Sequence, residues 1–170
     1  MPRSFDLSAD YDDSVAQVHS AFSDRDYWLD RLAGSGADIA TLDSISTHPD
    51  GSVEISTTQT LLTDRLPALA TQFHRGDIHI VRTEKWSPIR GGEAHADVTG
   101  EILGAPASMS GKATLVPTDK GSRLEFNVTV EVNIPLVGGK LEGFVGEKLA
   151  ELIAAEQRFT MEWIAEHLRN

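Results

Sequence analysis

The C-terminal part of the chain has the most regular pattern of apolar and polar positions. From Gly138 to Leu168 there is no proline, and apolar side chains recur with the 3.6-residue period of an α-helix. These apolar side chains fall within one narrow arc of the helix surface, and Glu156 lies near the middle of that arc. The pattern predicts one amphipathic helix from near Gly139 to near Leu168, about 40 Å long. The apolar members of the arc are Leu141, Val145, Leu149, Leu152, Phe159 and Trp163.

Strict alternation of apolar and polar residues predicts seven strands before this helix. Turn sequences at His48–Gly51 and Asp119–Gly121 join neighbouring strands and are typical of hairpins. Short turns between strands favour an antiparallel sheet, so the predicted fold class is α+β. The predicted strands are Pro2–Ser8, Asp38–Thr47, Ser52–Leu61, Asp77–Trp86, Glu93–Ile102, Ala107–Val116 and Arg123–Asn133.

Two short helices are predicted between the first two strands. Ser14 and Gln17 have the spacing of a capping box, which opens a helix through Phe22. Ser23-x-x-Asp26 opens a second helix, which ends at Gly34 and Gly36. The segment Thr63–Gly76 breaks the strand rhythm, and we expect a short helix or a flap there.

Composition narrows the class of protein. The 170 residues are enough for one domain, 1–170, with a substantial core, and they include no cysteine to form a disulfide or a thiolate nucleophile. The N-terminal residues lack the apolar stretch of a signal peptide, so we expect a cytoplasmic protein. The formal net charge of −11 argues against nucleic-acid binding and against stable association with an anionic membrane.

The order of elements resembles the START-like superfamily, also called SRPBCC or helix-grip. The residues that carry the resemblance are Ser14–Trp28, Glu84-Lys85-Trp86, Gly111 with Leu115-Val116-Pro117 before Gly121, and Glu156–Trp163. The chain looks like an uncharacterised branch related to polyketide cyclase and lipid-transfer domains. The resemblance implies a curved sheet that grips the last helix, with an apolar cavity between them.

Small residues on the inward faces of two neighbouring strands are consistent with such a cavity. Their inward faces present Ala94, Ala96, Gly100, Gly111 and Ala113. Because protein interiors are close-packed, either the helix approaches these strands closely or a space remains for a ligand. We predict an apolar cavity between these residues and the helix.

Charged residues on apolar faces are the second signal. Arg82 and Glu84 share a strand face with Trp86, and Glu156 lies on the inward arc of the helix. A buried carboxylate needs a partner, so one interpretation is an Arg82–Glu156 or Arg82–Glu84 pair within the core. The other is a polar anchor for a ligand in the cavity.

The predicted site combines these residues with their apolar neighbours. Leu66, Phe73 and His74, in the Thr63–Gly76 segment, are predicted to form the mouth of the cavity. The predicted ligand-binding residues are Arg82, Glu84, Trp86, Ala96, Val98, Gly111, Ala113, Phe126, Val128, Leu152, Glu156 and Phe159.

The sequence contains none of the phosphate-loop, dinucleotide-binding, zinc-protease or nucleophile-elbow motifs. We therefore predict no cofactor and no bound metal, in a monomer or homodimer. The favoured function is binding or transport of a hydrophobic small molecule, such as a lipid or a polyketide-like compound. An aromatase/cyclase or dehydratase in the same cavity is one alternative, and a protein-interaction module with a vestigial cavity is another.

Overall fold

The computed structural model describes residues 2–62 and 76–168, which form an antiparallel sheet and three helices. The predicted strands and the long C-terminal helix are confirmed, the helix with each end displaced by one residue. Along the described residues, no helix combines the length and apolar character needed to cross a membrane. The elements are β1 (Arg3–Tyr11), α1 (Val15–Phe22), α2 (Arg25–Ala33), β2 (Ile39–Thr47), β3 (Val53–Leu61), β4 (Ile78–Trp86), β5 (Ala94–Ile102), β6 (Ala107–Pro117), β7 (Ser122–Val132) and α3 (Gly138–His167).

The sheet has the strand order β1-β7-β6-β5-β4-β3-β2, and every neighbouring pair is antiparallel. The first strand therefore lies beside the last, while α1 and α2 connect the two edges of the sheet. The curved sheet wraps α3, which contacts β1 and β7 directly. This arrangement places the inward faces of the central strands opposite one long helix.

The short helices begin and end at local hydrogen bonds. The Ser14–Gln17 capping box is present in full and opens α1 as predicted. The start of α2 corrects the sequence prediction by one residue: Ser23 closes α1, and Asp24 caps α2 by accepting a hydrogen bond from the Asp26 amide at 2.8 Å. The prediction for Thr63–Gly76 falls almost wholly on 63–75, outside the described residues.

The buried face of α3 is rotated slightly from the predicted arc. Trp163 and Phe159 share the predicted apolar arc, but Trp163 is buried whereas Phe159 is only half-buried. Gly146 instead lies against the ring of Phe5, where a Cβ atom would come within 2.3 Å of a ring carbon. The pattern of apolar residues does not identify Gly146 as a buried position. Its role is to lack a side chain, which lets the helix approach β1. The most buried positions include Glu142, Gly146, Leu149, Ile153, Thr160 and Ile164.

The small residues of β5 and β6 mostly allow close packing. A Cβ atom at Gly111 would lie 2.8 Å from the Phe126 ring and 2.4 Å from the Asn127 carbonyl oxygen. Ala96 pairs with Trp86 on one side and with Ala113 on the other, and it is 4 % exposed. At Gly111 these neighbours leave no room for a ligand, which corrects the prediction there; that the rest of this face borders an apolar cavity stays a prediction.

Candidate functional site

Four charged side chains form one continuous cluster between the sheet and the helices. Arg82 of β4 donates from Nη1 to Glu156 Oε2 at 2.8 Å and from Nη2 to Glu156 Oε1 at 3.1 Å. Its Nη2 also lies 3.0 Å from Glu84 Oε2, and Arg31 Nη2 pairs with Glu156 Oε2. These side chains are only 8–17 % exposed. Over the part of the chain that the structure describes, two cations and two carboxylates share the cluster, so their charges cancel.

Three elements bring these residues together. Alternation along β4 puts Arg82 and Glu84 on the inward face, and Glu156 meets them from α3. Both pairs that the sequence offered as alternatives are present at once. The sequence interpretation missed Arg31, which lies in the last turn of α2 and stacks over Trp28 at 4.5 Å from the ring centroid. Charge balance was the available signal, because two inward carboxylates and one arginine leave a buried negative charge without a partner.

A second set of hydrogen bonds orients the cluster. Thr160 Oγ1 donates to the Glu156 carbonyl at 2.7 Å, so the Tyr27 hydroxyl, 2.6 Å away, donates to Thr160. Arg31 Nη1 in turn donates to the Tyr27 oxygen at 3.4 Å. Trp86 Nε1 donates to Glu84 Oε1 at 3.1 Å. Each carboxylate oxygen of Glu84 and Glu156 is thus held by a hydrogen bond or an ion pair.

The electrostatics keep the cluster ionised. Burial by itself would raise the pKa of Glu156, but the guanidinium groups of Arg31 and Arg82 outweigh burial and lower it to about 2. Burial would lower the pKa of each arginine, and the Glu156 carboxylate raises it above its ordinary value. Burial raises the pKa of Tyr27, which stays neutral. Glu156, Arg31 and Arg82 therefore act as fixed charges near neutral pH.

We expect this cluster to make stability fall at low pH. The folded pKa of Glu156, about 2, lies below its ordinary value of 4.5, so the carboxylate stabilises the fold fully above about pH 4.5. That contribution, about 3 kcal/mol, should be lost as the pH falls from 4.5 towards 2. Urea unfolding across this range should show the loss in wild type and a smaller loss in Glu156→Gln. If the free energy of unfolding fell equally with pH in the two proteins, Glu156 would not be the carboxylate responsible for the loss.

Three cavities adjoin Arg82. The largest, about 280 Å³, lies between the strands β3–β7 and the first half of α3. Gln59 and Arg82 are polar residues of its wall, and Glu101, Ser108 and Lys148 are exposed at its rim. Smaller cavities of about 80 and 30 Å³ lie on the other sides of the charged cluster. The apolar wall of the largest cavity includes Leu61, Ile80, Ile102, Ala107, Met109, Val130, Val132, Phe144, Val145, Leu149 and Leu152.

The structure divides the predicted site residues among these spaces. Arg82 and Leu152 line the 280 Å³ cavity, and Leu152, Glu156 and Phe159 line the 80 Å³ cavity. Val128 is fully buried in the core. The predicted mouth residues Leu66, Phe73 and His74 lie outside the described residues. Predicted residues that line the 30 Å³ cavity are Arg82, Glu84, Trp86, Val98, Ala113, Phe126 and Glu156.

The sequence interpretation did not include much of the wall of the 280 Å³ cavity. Met109, Val130 and Val132 continue the inward alternation of β6 and β7 beyond the residues that were chosen, and Val145 continues the arc of α3. The periodicity of apolar and polar residues predicted that all of these side chains face inward. It did not indicate which inward-facing positions border space and which are filled by neighbours.

Comparison with known proteins places the chain in a family. Residues 6–164 match the family model described as "Protein of unknown function (DUF2505)". Uncharacterized proteins of Mycobacterium tuberculosis and Mycobacterium bovis are each 46 % identical over 174 residues, which cover 99 % of this chain and all of theirs.

Solved structures resemble the fold at low sequence identity. TTHA0849 from Thermus thermophilus has a TM-score of 0.60 at 11 % identity, with 99 % of both chains covered. Ara h 8.0201 has a TM-score of 0.56 at 14 % identity, covering 98 % of this chain and all of its own. The helix-grip architecture expected from the sequence is thus confirmed. The chain belongs to the DUF2505 family, and its fold is that of the START-like superfamily.

Proposed function

We propose that this protein binds and carries a hydrophobic small molecule in the 280 Å³ cavity between the sheet and α3. The observation that carries the proposal is the character of this cavity: among the described residues that line it, the inner wall is apolar except for Arg82 and Gln59. Its volume is close to the lower end of the roughly 300–1,000 Å³ that ligand pockets occupy. Interiors are otherwise close-packed, so an apolar space of this size is a site for an apolar ligand.

The state of the carboxylates favours a carrier over a cyclase or dehydratase. Catalysis by a general acid or base needs a group whose pKa lies near the working pH. Glu156 has a pKa of about 2 and is held by two arginines, and Glu84 forms an ion pair with Arg82 and accepts a hydrogen bond from the Trp86 indole. A pocket with one polar end and saturated carboxylates suits recognition of a ligand better than proton transfer.

Native mass spectrometry of freshly purified protein tests the proposal. We expect a population heavier than the apoprotein by one small molecule, with the additional mass lost under denaturing conditions. A neutral, environment-sensitive dye should also bind with one-to-one stoichiometry and be displaced by the extracted molecule. Protein that carries no adduct and takes up no apolar dye would contradict the carrier function. A cytoplasmic location and the choice between monomer and homodimer stay predictions of the sequence.

A further inference from the structure

We propose that the ligand is an uncharged molecule with a hydrogen-bond acceptor, such as a ketone, aldehyde or ester, and that this acceptor binds the Nε–H of Arg82. The inference rests on the proposed function and specifies the chemical class of the ligand. It follows from which polar atoms around the cavities still lack a partner, and from the charge already present there.

Arg82 supplies the free donor. Its two terminal nitrogens contact Glu156 and Glu84, while its Nε is buried and has no hydrogen-bond partner among the described residues. A buried donor without a partner costs free energy, and such groups usually bond to protein, water or ligand. Arg82 also lines the 280 Å³ cavity, so a molecule in that cavity lies beside this side chain. A ligand that satisfies Nε must offer an acceptor.

The charge of the cluster selects a neutral acceptor. Among the described residues, Arg31 and Arg82 are already balanced by Glu84 and Glu156, so a ligand carboxylate would bring an additional charge into this buried cluster. Lys148 at the rim is the other cation among the residues described around the cavity, and the carboxylate of a fatty acid would have to lie there. The Lys148 side chain is 56 % exposed and its amine already lies 3.3 Å from Glu151. Because exposed ion pairs contribute little, this position would add little affinity for a carboxylate.

Three probes of equal heavy-atom count test the inference on the full chain: methyl octyl ketone, undecane and nonanoate. Each is titrated against a neutral apolar dye bound to the protein. The ketone should bind roughly tenfold to a hundredfold more tightly than undecane, the range that corresponds to a hydrogen bond from a charged donor. Nonanoate should bind more weakly than the ketone. The carbonyl stretching band of the bound ketone should shift to lower frequency than in alkane solvent.

Arg82→Lys keeps a cation beside Glu156 and Glu84 but removes Nε–H. We expect this variant to lose the preference for ketone over undecane, while Lys112→Met, on the outer face of the sheet, keeps it.

Equal binding of ketone and undecane by wild type, or an unshifted carbonyl band, would overturn the inference even if Arg82→Lys fails to fold. Tightest binding of nonanoate, lost in Lys148→Met, would instead place a carboxylate at the rim. If the dye binds but the ketone is not the tightest-binding probe, this inference alone is overturned. If the protein binds neither the dye nor any probe, the proposed function is overturned as well.

Discussion

Replacing Glu156 by glutamine is expected to lower the free energy of unfolding by about 3–5 kcal/mol, the usual cost of removing one partner from a buried ion pair. Glutamine has nearly the same shape, so little packing is lost. It leaves Arg31 and Arg82 facing the single carboxylate of Glu84, with one buried positive charge in excess. Urea unfolding at neutral pH measures the change. Arg31, which the sequence interpretation missed, adds to this cost because it loses the same carboxylate partner as Arg82.

The matched control is Asp97→Asn. Asp97 pairs with Lys112, but the two side chains are 60 % and 80 % exposed, so the substitution should cost at most about 1 kcal/mol. Adding Arg31→Met to Glu156→Gln restores the balance of charge between Arg82 and Glu84. The double variant should therefore lose less stability than the sum of the single variants. Additive losses, or a Glu156→Gln cost no larger than that of the control, would show that the four charges are not coupled.

Filling the large cavity with Ala107→Trp is expected to abolish uptake of a neutral apolar dye. Ala107 is half-buried on β6 and lines the 280 Å³ space, so an indole there occupies the volume that the dye needs. Because the space is open, the substitution should cost less than about 2 kcal/mol, at the mild end of overpacking. Dye titration and urea unfolding on the same protein sample measure both effects.

Two further tryptophan variants make this result specific. Ala154→Trp adds an indole on an exposed position of α3 that lines none of the three cavities, and it should leave dye binding unchanged. Ala96→Trp probes the small-residue face that the sequence predicted to border the cavity. The structure places Ala96 between Trp86 and Ala113, so this change should destabilise the protein by about 3 kcal/mol or more. Full dye binding by a folded Ala107→Trp protein would show that the dye occupies another site.

The elements of the fold could be predicted because their signals are local. A strand alternates with period two and a helix with period 3.6, whatever they pack against. The same local geometry put Arg82, Glu84 and Trp86 on one face of β4 and Glu156 on the inward arc of α3. A buried carboxylate in water-poor surroundings requires a cation, so an ion pair at this place also followed from the sequence.

Tertiary structure alone decided the composition of the site and the position of the cavity. Arg31 joins Glu156 because α2 packs against α3, over a separation of more than a hundred residues that no local pattern reports. The buried face of α3 depends on Gly146 meeting Phe5, a contact that sets how the helix lies on β1. Open space remains beside Met109 and is absent at Gly111 because side chains from several strands and the helix compete for the same volume. Periodicity determined which side chains face inward, whereas their summed volumes, arranged by the fold, determined where a ligand fits.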